Sequence, residues 1–331
     1  MSQKRITIDD IARDLNVSKT TVSRAISGKG RISQATRDRI KEYIVQCNYR
    51  PSAAAKGLAE SKTYNLALVL PKSFIQMDLP YVRESLNAIC EEAFIWDYNI
   101  LVCLSTDEYP ESLLRTLDNR KVDGVILCRT VEYDALVDIL TNRAIPFATL
   151  GSLPAAVSGK AAVEADHDQL GGCRALSTMV LQGCSEKVAL IGNDLRYIVN
   201  QHRHAGFVQA VEAMKFPAAS IAMQMNVDTE QECAQVVQSL YAQGFTRFVA
   251  MDDTLCLYTL HTLAKLDGAL DKCRTYSMYD SHWLDGPLRP ELALHFDSAT
   301  LAQTACRELL RCLRGEVYDR NPILGYRIIT R

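Results

Sequence analysis

The stretch TIDDIARDLNVSKTTVSRAISGKGRISQATRDRI, residues 7–40, decides how this chain is read. Thr7 suits a helix N-cap, with Asp9 and Asp10 in the first turn, where the helix dipole favours acids. Ile8, Ile11, Ala12 and Leu15 then recur at helical spacing. Asn16 breaks the run, Val17 is apolar, and Ser18 is a second N-cap. Thr21, Val22, Arg24 and Ile26 continue on a short second helix stopped by Ser27-Gly28. A third helix starting at Ser33 puts Ile40, Ile44 and Cys47 on one face. Two short helices with a tight turn, braced by a third, make the helix-turn-helix plan.

In that plan the second helix enters the DNA major groove by its N-terminal end. Here that end presents Lys19, Thr20 and Arg24, with Arg31 after the turn. Arginine and lysine match the guanine O6 and N7 acceptors, and a threonine methyl matches the thymine methyl. Thr7, Ser18, Thr21, Ser23 and Ser33 are short hydroxyls near helix N-termini, suited to phosphate oxygens. Charge agrees: residues 1–61 carry +6 while the whole chain is −2, so the remainder carries −8. A basic end on an acidic body is the footprint of a nucleic-acid module joined to something else.

These residues, with NYRPSAAAKGLAES at 48–61, resemble the lactose/galactose repressor family of bacterial transcriptional regulators. The match rests on Ile11-Ala12, Val17-Ser18, Thr21-Val22-Ser23-Arg24, Ser33, Thr36-Arg37, Tyr49 and Pro51 in fixed register. The resemblance implies a DNA-binding headpiece over 1–50 and a hinge helix over 51–61. It also implies paired hinge helices in the minor groove, where Leu58 wedges a base step beside Ala55 and Lys56. An apolar wedge that kinks the duplex is physically sound. The segment Ser52–Ala59 is too short to be stable alone in water and contains Gly57, so it is expected to order on DNA.

From Tyr64 the chain alternates β-branched runs with amphipathic ones. Leu66–Leu70, Ile100–Leu104, Val122–Leu127 and Pro146–Leu150 read as strands, separated by helical patterns at Val82–Trp96, Glu111–Asn119 and Glu132–Thr141. A second series opens at Ala161–Ala165 and includes Val188–Ile191, Phe245–Met251 and Arg274–Tyr279. Alternation of this kind predicts parallel sheets in two doubly wound halves. The expected class is thus α plus α/β: a three-helix headpiece with hinge, then a two-subdomain core over 62–331 resembling periplasmic sugar-binding proteins. Its N-subdomain is expected at about 62–160 plus 296–323, and its C-subdomain at about 161–295 plus 324–331.

The family pattern continues through "DHDQLGG", "KVALIG", "RHAGF", "VAMDD" and "YSMYDS". It implies an effector in the cleft, contacted by Arg203, Asp280 and Asp252. An arginine between carboxylates suits vicinal hydroxyls, but the same set also reads as an ion pair in the cleft wall. Arg129 and Asp107 end other strands and are further candidates; Trp283 fits either a sugar face or the core. Cys184 and the loop PKSFIQMDLPYV depart from the family pattern, and Gly151 replaces an acid that contacts sugar in some relatives. The expected effector is a small polyhydroxylated, sugar-like compound; control by a protein co-repressor or a non-sugar metabolite is the alternative.

The 331 residues, 48% apolar and 23% charged, suffice for two or three domains. No P-loop, dinucleotide fingerprint or nucleophile elbow appears, and the six histidines form no H-E-x-x-H, so no enzyme, cofactor or metal is expected. The eleven cysteines include no C-x-x-C and read chiefly as reduced, buried thiols, with redox or metal roles as the lesser alternative. A polar N-terminus and the lack of a spanning apolar run predict a cytoplasmic protein that meets no membrane. No leucine-heptad tail follows the last apolar run, which predicts a homodimer on a pseudo-palindromic operator.

Overall fold

The computed structural model describes residues 6–28, 30–47, 49, 57, 60–72, 79–105 and 110–331. The expected hinge contacts Ala55, Lys56 and Leu58, and the candidate Asp107, lie outside the described residues. The chain divides into two compact units, Met1–Thr63 and Tyr64–Arg331.

Three helices make the first unit: α1 (Ile8–Asp14), α2 (Lys19–Ser27) and α3 (Gln34–Gln46). Each starts at the hydroxyl residue its sequence offers. Thr7 accepts from the Asp10 amide, Ser18 from the Thr21 amide and Ser33 from the Thr36 amide. Asn16 turns the chain between α1 and α2 at φ 51°, a left-handed conformation asparagine tolerates. Gly28 ends α2 at φ 73°. Ile11, Ala12, Val22, Ala25, Ile40 and Tyr49 form the buried core. Arg39 ties α3 to α1 by donating to the Leu15 carbonyl at 2.6 Å, and Tyr43 does so by donating to Asp14 at 2.6 Å.

The second unit holds two six-stranded sheets. The first contains β1 (Asn65–Pro71), β2 (Asn99–Ser105), β3 (Gly124–Leu127), β4 (Phe147–Leu150), β5 (Val163–His167) and β11 (Ile323–Leu324). They lie in the order β11-β5-β4-β3-β1-β2, all parallel. Helix α4 (Pro80–Ile95) and helix α12 (Ser298–Arg314) cover one face, burying Val82, Ile89, Leu301, Cys306 and Leu309. Helix α5 (Glu111–Asp118) and helix α6 (Ala135–Asn142) cover the other with Leu113, Leu117, Val137 and Leu140.

The second sheet contains β6 (Lys187–Ile191), β7 (Ile221–Gln224), β8 (Phe245–Ala250), β9 (Arg274–Ser277), β10 (Leu292–His295) and β12 (Arg327–Thr330). Its order is β12-β10-β9-β8-β6-β7, and only β12 runs antiparallel to its neighbour. Helix α7 (Gln169–Leu181) and helix α8 (Ile198–Ala213) pack on one face through Cys173, Leu176 and Phe207. Helix α9 (Glu230–Ala242) and helix α10 (Asp253–Ala264) pack on the other, and short helix α11 (Ala269–Lys272) follows.

One expectation is corrected. The strand predicted at Ala161–Ala165 was to open the second subdomain. Instead Val163–His167 pairs in parallel with β4 and is buried along its length. Completing the first sheet covers the exposed edge of β4, so the chain crosses between subdomains after His167 rather than near residue 160. It crosses back between His295 and Ser298, and a third time between Leu324 and Arg327. Among the described residues no helix is long and apolar enough to cross a membrane.

Candidate functional site

The strands of both sheets end on one cavity of about 420 Å³. This is the crevice at carboxyl strand ends where open α/β sheets place ligands. From the first sheet come Cys128 and Arg129 after β3, Gly151 after β4, His167 at the end of β5 and Gln169 beyond it. From the second come Asn193 and Asp194 after β6, Asp252 and Asp253 after β8, and Tyr279 after β9. Arg203 reaches it from α8, with its guanidinium 5.7 Å from the Tyr279 ring centre.

Two carboxyls sit beside that arginine. Asp252 caps α10 by accepting from the Leu255 amide at 2.8 Å. Asp253, the first residue of the helix, accepts from the Thr254 amide at 2.9 Å. Burial raises Asp252; burial, and then the charge of Asp252, push Asp253 up to about 6. Four buried polar atoms of the lining have no hydrogen-bond partner: Gln169 Oε1, Asn193 Oδ1, Asp253 Oδ2 and Arg203 Nε. A buried unpaired polar group costs roughly 1–3 kcal/mol. Four on one cavity point to a ligand that completes them.

Asp166, Asp194 and His167 are already held by neighbours. Asp166 accepts from Ser152 through its amide at 3.0 Å and its hydroxyl at 2.5 Å. Burial works against Asp194, yet hydrogen bonds from Arg196 outweigh it and lower that carboxyl. Burial lowers His167, favouring the neutral ring, which lies 5.0 Å from the Phe296 ring.

Of the sequence-predicted effector residues, Arg203, Asp252 and Arg129 line this cavity. Asp280 does not. Its carboxylate faces Arg331 Nη2 at 2.5 Å and His295 Nδ1 at 3.4 Å, a buried ion pair in the wall of the second subdomain. Trp283 sits on a 3-10 turn, His282–Leu284, and is likewise absent from the lining. Sequence reasoning missed Asp253, Asn193 and Gln169. All three lie two or three residues past a strand end, close to the position that singled out Asp252.

On the first unit, α2 exposes Lys19, Thr20, Ser23 and Arg24, while Thr21 is half-buried; Arg31 is exposed beyond the turn. Lys19 pairs with Asp9 at 2.5 Å across the surface. The Arg24 side chain runs beside Gly30, where an added Cβ would lie 2.9 Å from Arg24 Cδ. Thr7 caps α1 through both its hydroxyl and its amide. Its hydroxyl lies 2.7 Å from Asp10 Oδ2, which also accepts from the Thr7 amide, so the capping box uses its proton. Ser18 and Ser33 instead pair with the hydroxyls of Thr21 and Thr36, at 2.8 and 2.7 Å. One hydroxyl proton of each pair stays available to an outside acceptor.

A helix-turn-helix unit followed by a two-subdomain binding fold defines a class of protein, and comparison with known proteins identifies which. Residues 7–52 match the model of bacterial regulatory proteins of the lacI family, and residues 63–275 match that of periplasmic binding proteins and the sugar binding domain of the LacI family. The chain belongs to the LacI family. It is 31% identical to the HTH-type transcriptional regulator MalR of Streptococcus pneumoniae over 63% of this chain and 64% of the relative. The chain therefore spans under two thirds of that relative's length. The HTH-type transcriptional regulator pepR1 of Lactobacillus delbrueckii subsp. lactis is 28% identical over 100% of this chain and 92% of its own. In fold, the chain is similar to the Lac repressor dimer bound to operator and the anti-inducer ONPF. The TM-score is 0.78 at 19% identity, covering 99% of this chain and 98% of that one.

Proposed function

We propose that this chain is a sequence-specific DNA-binding transcriptional regulator, a repressor, whose operator affinity is set by a small polyhydroxylated effector in the core cleft. Lys19, Thr20, Arg24 and Arg31 read bases, and Ser18, Thr21, Ser23 and Ser33 hold phosphates. Ala55, Lys56 and Leu58 engage the minor groove as the family hinge. Arg203, Asp252, Asp253 and Arg129 hold the effector. The protein acts as a homodimer on a pseudo-palindromic operator, as the operator-bound dimer of its structural relative suggests.

The observation that carries the effector reading is the set of four unpartnered buried atoms on one cavity. Three are acceptors and one is a donor, and vicinal hydroxyls answer both, since each donates one proton and accepts through its lone pairs. The family match to a sugar binding domain agrees. Five lining carboxyls against three arginines argue against an anionic ligand. Missing one matching hydroxyl leaves a group unpaired, so epimers should differ by about 1–3 kcal/mol in binding. Calorimetry on a panel of mono- and disaccharides tests this. One sugar should bind, its epimers about tenfold or more weaker. Equal binding of all epimers, or of none, refutes the assignment.

A further inference from the structure

Main-chain contacts join the two subdomains beside the cavity. The loop leaving β3 and the loop leading into α8 meet as a one-rung antiparallel bridge, Val131 opposite Tyr197. The Glu132 amide donates to the Arg196 carbonyl at 2.8 Å, and the Ile198 amide donates to the Thr130 carbonyl at 3.2 Å. Both edges are preformed. Thr130 is fixed by its hydroxyl donating to the Ser152 carbonyl at 2.7 Å. The opposite edge is an Asp194 turn, which accepts from the Arg196 amide at 2.8 Å while Asn200 donates to its carbonyl at 2.9 Å. The Arg129 guanidinium lies on the Tyr197 ring, adding a side-chain contact across the same gap. Arg129, Thr130, Arg196 and Tyr197 also line the cavity, so the bridge is part of its wall.

We propose that this bridge is a latch: it seals the cleft mouth, controls access to the cavity, and limits the length of effector that fits with the cleft shut. Two hydrogen bonds between edges already held in shape cost little ordering entropy to form. Each weights the shut form by about threefold to tenfold. The latch opens without unfolding either subdomain, because it joins loops rather than core strands. The inference concerns the cavity assigned above, but its test uses no effector, so it stands or falls separately from the effector reading.

Ile198→Pro isolates the latch. Ile198 is the first residue of α8, where proline is tolerated, and Tyr197 before it has φ −81° and ψ 127°, the region a residue preceding proline prefers. The substitution deletes the Ile198–Thr130 bond and no helical one. The reporter is Cys128, a buried lining residue whose thiol burial holds far from ionising, probed with iodoacetamide and located by peptide mass spectrometry. Capture of Cys128 should rise about fivefold or more, and hydrogen exchange at the Glu132 amide should quicken. Cys103, Cys256 and Cys306, buried elsewhere, should keep their wild-type rates.

If all buried thiols react faster together, the variant has loosened globally and a second one decides. The Val131–Tyr197 pair is of the non-hydrogen-bonded type, with Cα atoms about 4.5 Å apart, within disulfide reach. In Val131→Cys with Tyr197→Cys, the oxidised form should expose Cys128 several-fold more slowly than the reduced form. Unchanged Cys128 capture in a folded Ile198→Pro, or equal capture in the two redox forms, overturns the latch.

Discussion

Arg24 and Asp280 show what a single residue is asked to do. If Arg24 donates to guanine through both guanidinium arms, Arg24→Ala should cost about 1–3 kcal/mol on the operator and relax one base position. Binding titrations on single-base-variant duplexes check this, and a uniform loss on every duplex would reduce Arg24 to a phosphate contact. Asp280 carries the opposite expectation. Its removal takes the buried carboxylate from the Arg331 guanidinium, whose side chain is 14% exposed and which then keeps the Leu284 carbonyl and the largely exposed Asp285. Breaking such a pair should cost on the order of 2–4 kcal/mol of stability while sparing effector binding. Urea denaturation of Asp280→Ala beside calorimetry would show it; lost binding with intact stability would return Asp280 to the cleft. The sequence placed Asp280 at a strand end, where an acid looks available. Its partner lies 51 residues on, and no local pattern announces a pair that distant.

At the scale of elements, the N-terminus of α10 gathers the titrating groups. Burial and the neighbouring Asp252 charge raise Asp253 to about 6 in the folded chain, against an ordinary aspartate value of about 3.9. The folded state therefore holds this proton more tightly than the unfolded one. Stability from this group is present below pH ~4 and is lost as pH rises to about 6. Asp253→Asn removes that loss, so its melting temperature should exceed wild type by a few degrees at pH 7.5, the gap closing by pH 4. A gap independent of pH would mean Asp253 is not the strained group. The turn between α2 and α3 is a second such element. Gly30 has φ 88° and leaves no room beside Arg24, so Gly30→Ala should displace that arginine and weaken operator discrimination without touching core stability. Base-variant titration with a melting curve reads both.

Most elements were legible because their signals are local. Hydroxyl caps, Gly28 and helical spacing gave the first unit, and β-branched runs gave β1, β3, β4 and β8. The edge strands β7 and β12 are short and partly exposed, so neither carries an unbroken apolar run. The partner sheet of β5 depends on its pairing with Ala148 and Leu150, which sequence spacing leaves open. The latch joins residues 131 and 197, and no motif links them. The site was legible where strand ends supplied it and illegible where tertiary pairing decided which acid faces the cavity.

For the whole molecule, the core unit leaves an apolar surface. Phe94 and Ile95 at the end of α4 are 81% and 71% exposed, and Val102 and Leu104 on edge strand β2 are 47% and 42% exposed. Large exposed apolar side chains on an unpaired edge mark an association surface, and two-fold pairing would match two headpieces to two half-sites. Phe94→Asp with Ile95→Asp should give a monomer in light scattering and lose most operator affinity while keeping effector binding. A dimer that persists would move the contact elsewhere.

A ligand in the core cleft should set DNA affinity in the headpiece. An operator duplex is first selected from random sequence with the full-length protein. Anisotropy titrations of that duplex then compare wild type with Arg203→Ala, each with small molecules co-purified with the wild type and with a saccharide panel. One polyhydroxylated compound should move the wild-type midpoint about tenfold or more and leave Arg203→Ala unmoved, with both proteins binding alike in its absence. A midpoint that no compound moves, or that one moves equally in both proteins, would contradict it.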